Sequence, residues 1–325
     1  MPGSLSIVAQ AEQLRAANRI PDAVALLERT PEDTQALHLR AIWLLAGVGG
    51  RDLPRARRFL RAAAERGHHD AALTEIALTA NGSGGAADWP GALALLREAA
   101  TRDPAAAAQL ALVERMALAP DGRPAATPAP ETLDPAGFVT RFAGLLTPEE
   151  CAEVARAAAE LLAPAFVVDP QTGRQVPHPV RTSDGAVIGP TRENLAVRAI
   201  NARVAAVSGY AIEQGESLAV LRYRPGQQYR LHLDTLPGVV NQRVATVLVY
   251  LNEGFGGGET TFPDIGVTVT PRGGDAILFR NTLPDGRPDP RARHAGLPVT
   301  RGVKWLATRW IRARPLDPWN SATAA

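Results

Sequence analysis

Four prolines within eleven residues, Pro120, Pro124, Pro128 and Pro130, break this 325-residue chain into two parts. Proline has no backbone N–H to donate and biases the residue before it away from the α region, so no helix and no central strand runs through that stretch. One architecture must end before it and another must begin after it. At the usual ~100–200 residues per domain, the length accommodates two. The pattern sets a helical domain over 1–118, a Pro-rich linker over 119–135, a second domain over 136–315 and a tail over 316–325.

The first part is rich in Ala and Leu at helical spacing and carries an internal repeat. Asp52-Leu53-Pro54-Arg55-Ala56 recurs as Asp88-Trp89-Pro90-Gly91-Ala92, with a weaker copy from Pro21-Asp22-Ala23 and Gly-rich turns at 47–50 and 82–85. A period of about 36 residues is that of a helical-hairpin repeat, whose units bury their apolar faces only by stacking. The segment resembles Sel1-like or tetratricopeptide-type repeats. Such arrays present concave surfaces to protein partners, so the repeats are expected to recruit a protein or peptide substrate; a stabilising cap without a partner is the alternative.

Composition excludes several classes. The chain is 46% apolar and 21% charged, as soluble globular proteins are, and its single cysteine forbids an intrachain disulfide. No apolar run approaches ~18 residues and no signal-peptide pattern opens the chain, so no membrane association and a cytoplasmic setting are expected. A net charge of +2, with basic and acidic residues interspersed, offers no nucleic-acid footprint. Lys304 is the only lysine among 35 basic residues.

The second part opens with Thr147-Pro148-Glu149-Glu150, an N-cap, a first-turn proline and a capping-box glutamate, which predicts a helix to about Leu162. A second helix is predicted over 193–208. Beyond Gly215, segments 217–224, 228–234, 243–251, 267–270, 275–280 and 303–312 are rich in Val, Leu, Tyr, Thr and Trp between Gly, Pro, Asn and Asp clusters. The expected fold class is α+β: an N-terminal α-helical repeat array followed by a double-stranded β-helix, or jelly roll, with flanking helices.

Two of the six histidines, His38, His68, His69, His178, His232 and His294, stand in H-x-D patterns. On a helix, positions i and i+2 diverge; in a strand they share a face. His68 and Asp70 fall at a turn of the helical repeat and read as repeat-surface residues. His232 and Asp234 end a strand-like run and can grip one ion, with His294 as third ligand. Two histidines and a carboxylate on one face of an ion leave open positions, as in non-haem Fe(II) oxygenases, where a 2-oxo acid and dioxygen bind. Lys304 could then pair with the far carboxylate of 2-oxoglutarate. The charges of Fe(II), Asp234, the dianionic co-substrate and Lys304 cancel, as a buried site requires. Zinc is the rival metal, ranked second because no general base sits beside the triad as in a metalloprotease helix.

Around these residues, Leu221-Arg222-Tyr223-Arg224-Pro225-Gly226 through His232-Leu233-Asp234, Gln242-Arg243-Val244-Ala245-Thr246 through Asn252, Gly257-Gly258-Glu259-Thr260-Thr261-Phe262-Pro263, Pro271-Arg272-Gly273-Gly274-Asp275 through Phe279, and His294-Ala295-Gly296 through Trp310 resemble, in order, the motifs of prolyl 4-hydroxylase catalytic domains. The resemblance covers roughly 138–313. It implies Fe(II) on His232, Asp234 and His294, and 2-oxoglutarate on Lys304 with Tyr223 and Thr260. It implies Arg243 and Trp310 on the substrate side, dioxygen as oxidant and ascorbate as a reductant. Arg243 and Trp310 read equally well as a hairpin charge and core packing, and Tyr229 and Tyr250 as core residues near the site. The implied reaction is hydroxylation of a peptidyl residue, proline first. The alternatives are the same chemistry on a free amino acid or small peptide natural product, or a non-catalytic adaptor. The Pro- and Arg-rich segment 281–293 before His294 departs from the family pattern and is expected to shape the entrance.

Overall fold

The computed structural model describes residues 5–168, 175–177 and 180–320; His178 and the end of the tail, 321–325, lie outside them. The chain forms two units. One holds the residues up to Met116 together with 120–122 and 190–198; the other holds 117–119, 123–189 and 199–325. No local pattern signals that 190–198 packs with the helical unit, because that assignment rests on contacts distant in sequence, such as the Asn81 amide donating to the Pro190 carbonyl at 2.9 Å.

The helical unit contains α1 (Ile7–Ala16), α2 (Ile20–Glu28), α3 (Thr34–Ala46), α4 (Leu53–Glu65), α5 (His69–Asn81), α6 (Trp89–Ala100) and α7 (Pro104–Arg115), and consecutive helices pack on one another. The repeat seen in the sequence is a repeat of cap chemistry. Asp52 and Asp88 each accept a hydrogen bond of 2.9 Å from the backbone N–H three residues on, and each is followed by a first-turn proline whose missing N–H costs nothing there. Asp33 and Asp103 cap α3 and α7 in the same way. Gly47 and Gly82 end α3 and α5 in the left-handed region, at φ 83° and 78°. His68 caps α5, its Nδ1 accepting from the Ala71 N–H at 3.3 Å, and Asp70 lies in the first turn, so this H-x-D pair is a helix start as expected. Inside, Arg57 pairs with Glu75 at 2.7 Å and donates to Thr79, a buried ion pair with its partners satisfied.

Among the described residues, the second unit is built on sixteen strands: β1 (Pro130–Thr132), β2 (Val139–Phe142), β3 (Ala163–Pro164), β4 (Phe166–Val168), β5 (Gln175–Pro177), β6 (Asp184–Ile188), β7 (Leu218–Tyr223), β8 (Tyr229–His232), β9 (Arg243–Tyr250), β10 (Gly256–Gly257), β11 (Thr260–Phe262), β12 (Val267–Val269), β13 (Ala276–Arg280), β14 (His294–Gly296), β15 (Val299–Arg301) and β16 (Lys304–Arg312). The major sheet runs β1-β2-β13-β9-β16-β7-β6-β3, the minor sheet β12-β11-β14-β8, with β10 pairing β15 and β4 pairing β5. Every pairing among them is antiparallel. Leu221, Tyr223, Leu248, Tyr250, Ile277, Phe279 and Leu306 of the major sheet meet Phe262, Val267 and Val269 of the minor one in a shared core, which is the expected jelly roll.

Three details differ from the sequence reading. The run over 228–234 ends as a strand at His232, so Asp234 sits just past the ladder rather than in it. Pro130–Thr132, within the expected linker, forms β1 and pairs with β2 at the sheet edge, where a missing proline N–H is tolerated. Strands β1 to β6, β10, β11 and β15 fall outside the predicted segments, and all but β6 have two to four residues, too few for a period to declare itself. The capping box at α8 (Pro148–Ala159) is present in full: Thr147 Oγ accepts from the Glu150 N–H at 3.2 Å, and Glu150 accepts from the Thr147 N–H at 2.9 Å. Glu150 is also gripped by Arg203 of α9 (Leu195–Ser208) at 2.7 and 2.9 Å, both residues being buried.

Candidate active site

A cleft opens between the two sheets of the second unit, lined by Tyr223, His232, Asp234, Thr260, His294 and Lys304 among others. His232 ends β8 and His294 begins β14, and the two face each other directly in the antiparallel register. One ligand atom from each of His232, Asp234 and His294 lies within 4.8 Å of the other two, and no other group of three such side chains forms among the described residues. Asp234 Oδ1 is 3.6 Å from His232 Nε2, and Oδ2 is 3.9 Å from His294 Nε2.

The backbone sets the histidine tautomers. His232 Nδ1 lies 2.8 Å from the Arg230 carbonyl and His294 Nδ1 lies 2.9 Å from the Ala292 carbonyl. A carbonyl only accepts, so Nδ1 carries the proton and Nε2 presents its lone pair to the cleft. His232 Nε2 is buried with no hydrogen-bond partner. Burial pushes His294 down to about 4, so it is neutral at pH 7. Burial acts to raise the Asp234 carboxyl, but His232, His294 and the Thr246 hydroxyl outweigh it and hold the group below the usual carboxylate range. A neutral imidazole at His294, an unpartnered nitrogen at His232 and one ionised carboxylate suit a divalent metal. The donor set therefore fits Fe(II), and Tyr229 (ring centroid 3.5 Å from His232) and Phe279 (4.8 Å from His294) hold the rings in place.

Lys304, at the start of β16, is opposite Tyr223 in register and only 2% exposed. Its ammonium donates to the Gly258 carbonyl at 2.6 Å and lies 5.5 Å from the rings of both Tyr223 and Tyr250. Among the described residues no carboxylate forms an ion pair with it, and burial pulls it down to about 8. A buried ammonium without a counter-ion is costly, and an anion entering the cleft would relieve that cost. On either side of Lys304, Asn252 clamps the chain, accepting from the Trp305 N–H and donating to the Val303 carbonyl, both at 2.7 Å. Gly258 has φ +73°, which side chains rarely adopt, and a Cβ there would come within 3.1 Å of Lys304 Cδ, a tight contact that glycine avoids. Thr260 is buried and accepts from the Tyr250 hydroxyl at 2.8 Å, which places Tyr250 beside the site as well as in the core. Burial raises the Tyr223 phenol above its usual range, keeping it a neutral donor.

Arg243 and Trp310 also come together. The guanidinium lies 4.0 Å above the Trp310 ring, and Trp310 lines the cleft with its indole Nε1 buried and unpartnered. Sequence reasoning missed three residues here. Glu216 holds Arg243 in a bidentate pair at 2.7 and 2.8 Å. Thr246 and Asn281 stand behind Asp234. Thr246 alternates with Leu248 and Tyr250 on β9, so period 2 places it on the inner face; nothing local marks Glu216 or Asn281.

The profile of the 2OG-Fe(II) oxygenase superfamily matches residues 218–312, which contain the triad and Lys304. Prolyl 4-hydroxylase 1 of Arabidopsis thaliana is 39% identical over 188 residues, 52% of this chain and 66% of the relative. Probable prolyl 4-hydroxylase 4 of the same plant is 36% identical over 209 residues, 56% of this chain and 69% of the relative. The chain belongs to the prolyl 4-hydroxylase family. It spans about two thirds of the length of these relatives. The crystal structure of the viral collagen prolyl hydroxylase of Paramecium bursaria Chlorella virus-1 with 2OG is similar over 55% of this chain and 97% of that one, at 30% identity and a TM-score of 0.45. The superfamily match starts at β7, so the major-sheet strands β1, β2, β3 and β6 lie ahead of it.

Proposed function

We propose that this chain is an Fe(II)- and 2-oxoglutarate-dependent dioxygenase that hydroxylates a peptidyl proline. The observation that carries the proposal is the pairing, in one cleft, of a three-ligand face with a buried ammonium that lacks a counter-ion. Iron, when bound, supplies the redox chemistry by which dioxygen converts 2-oxoglutarate to succinate and carbon dioxide and one oxygen atom goes to the substrate C–H. The chain's own residues hold and orient. His232, Asp234 and His294 are the ligands. Lys304 takes the distal carboxylate, and the Tyr223 and Thr260 hydroxyls donate to it. Leu221, Leu248 and Leu306 line the cleft and keep it dry. Proline as target is supported by the names of the relatives.

Arg243 is held side-on by Glu216, which takes its Nε–H and one Nη2–H. Its Nη1–Nη2 end keeps donors, with Nη1 3.4 Å from the Asp234 carbonyl, and the Trp310 indole N–H beside it is unpartnered. These donors suit the carbonyls of an extended peptide but do not by themselves exclude a carboxylate. Anaerobic addition of Fe(II) and then 2-oxoglutarate should give a visible metal-to-ligand charge-transfer band. Succinate release should then be stimulated by a Pro-rich peptide and not by free proline. A band with no peptide stimulation, or stimulation by free proline alone, rejects the peptidyl reading.

The pH dependence follows from Lys304. Its ammonium must be charged to pair with the co-substrate, and in the free protein it deprotonates at about 8. Below that pH the 2-oxoglutarate dissociation constant should be flat. Above it, binding must take up a proton, so affinity should fall about tenfold per pH unit. Titrations from pH 7 to 9.5 check this, and a constant that stays flat to 9.5 contradicts it.

Recruitment by the repeats belongs to the same proposal. A groove in the helical unit is lined by Ile76, Leu95, Ala99, Glu98, Arg102 and Asp103, with Leu95 exposed. Because 190–198 packs with that unit, a point change is a cleaner test than deletion. Leu95→Glu with Arg102→Glu should lower hydroxylation of protein in cell lysate at least fivefold, the effect of losing about 1 kcal/mol of binding, and leave turnover of a short peptide unchanged. Equal activity on lysate would make the repeats a cap. A cytoplasmic setting is likewise proposed, on the support of a single, buried cysteine, Cys151, and cell fractionation tests it.

A further inference from the structure

We propose that Asn281 is a positioning residue for the metal-binding carboxylate and acts through Thr246. The inference rests on the Fe(II) reading above. Asp234 Oδ2 accepts from Thr246 Oγ1 at 2.7 Å, and Thr246 Oγ1 accepts from Asn281 Nδ2 at 2.8 Å. Thr246 and Asn281 are both 0% exposed, so no water competes for these bonds.

The direction of the relay is forced by its ends. A carboxylate only accepts, so the threonine must spend its one hydroxyl proton on Asp234. Its oxygen can then only receive, and only the amide NH2 of Asn281 can give. With the amide turned the other way, two acceptors would face one oxygen in a dry site, a costly arrangement. Asn281 thus fixes the rotation of the Thr246 hydroxyl, and Thr246 fixes which carboxylate oxygen is tied back. Oδ2 is tied to Thr246, while Oδ1, 3.6 Å from His232 Nε2, accepts no such bond, and under this proposal Oδ1 is the oxygen offered to the metal. A carboxylate that offers one oxygen keeps the remaining positions open for the co-substrate.

Asn281 reaches the third ligand as well. Its N–H donates to the Val244 carbonyl and its carbonyl accepts from the Asp289 N–H, both at 2.9 Å. Asp289 caps the short 3-10 turn Pro290–Ala292, and Ala292 supplies the carbonyl that sets the His294 tautomer. The segment 281–293, which the sequence suggests only as an entrance, therefore begins at a residue whose side chain serves Asp234 and whose backbone anchors the approach to His294.

The test is Co(II) binding to the full-length protein, followed by calorimetry and by the visible ligand-field bands, in Thr246→Val, Thr246→Ser, Asn281→Leu and the double variant Thr246→Val/Asn281→Leu. Loss of a partner behind a metal ligand typically costs about 10–100-fold in metal affinity. Thr246→Val should weaken Co(II) binding by about that factor and Asn281→Leu by about tenfold, each with altered bands, while Thr246→Ser stays within about threefold of the parent. Because Asn281 acts through Thr246, the double variant should bind no more weakly than Thr246→Val. Additive losses, or unchanged affinity and bands in Thr246→Val, overturn the proposal. If Asn281→Leu does not fold, Asn281→Ala takes its place in the same cycle with Thr246→Val. If the parent protein itself binds neither Co(II) nor Fe(II), the functional reading fails and this inference with it; normal binding in the parent with indifferent variants removes only the relay.

Discussion

Replacing Asp234 with alanine is expected to weaken Fe(II) binding by more than about a hundredfold, beyond the loss that follows removal of a partner behind a ligand. Three effects coincide. The metal loses its only anionic protein ligand and keeps two neutral imidazoles. The buried Thr246 hydroxyl loses its carboxylate acceptor. The ion, the co-substrate and Lys304 no longer sum to a neutral buried group. Anaerobic titration with Fe(II) and 2-oxoglutarate checks this through the charge-transfer band, which should be absent from the variant. A band of parental intensity would show that the metal sits elsewhere and would return the H-x-D pair to a plain strand end.

The second large effect is at Lys304. Lys304→Ala leaves the distal carboxylate of 2-oxoglutarate buried and unpaired, which costs about 3–5 kcal/mol and lowers its affinity by about two to three and a half orders of magnitude. Metal binding should survive, because Lys304 is not a ligand, and that split separates a co-substrate role from general damage to the site. Lys304→Arg should not restore binding. Lys304 is 2% exposed, and its ammonium is a point charge donating to the one carbonyl of Gly258. A planar guanidinium needs more room and a different donor geometry. That requirement accounts for the one lysine in a chain whose other 34 basic residues are arginine. A Lys304→Arg variant with parental 2-oxoglutarate affinity would remove the steric part of this argument, and a Lys304→Ala variant within tenfold of the parent would remove the charge part.

Much of this site is legible in the amino-acid sequence itself. The spacing of His232 and Asp234, the later His294 and the solitary Lys304 state a chemistry in residue types alone, because few side chains bind iron or pair with a dicarboxylate. The helical repeat is legible for a similar reason. Asp-x-Pro starts and Gly ends act within one turn of chain, so the caps on α4 and α6 follow from five-residue patterns. What local pattern could not carry was anything built by residues far apart in sequence. His232 and His294 face each other only because β8 and β14 pair in that register. Glu216 commits Arg243 across 27 positions, and Asn281 reaches Thr246 across 35. Residues 190–198 join the helical unit through contacts with chain more than a hundred positions away. Sequence alone therefore determined the periodicities, the caps and the ligand chemistry, since those depend on residue identity and neighbours within a turn or a strand. The tertiary structure alone decided the tautomers, the oxygen of Asp234 left for the metal and the donors left on Arg243, because hydrogen-bond direction is set by whichever partner the fold brings within about 3 Å.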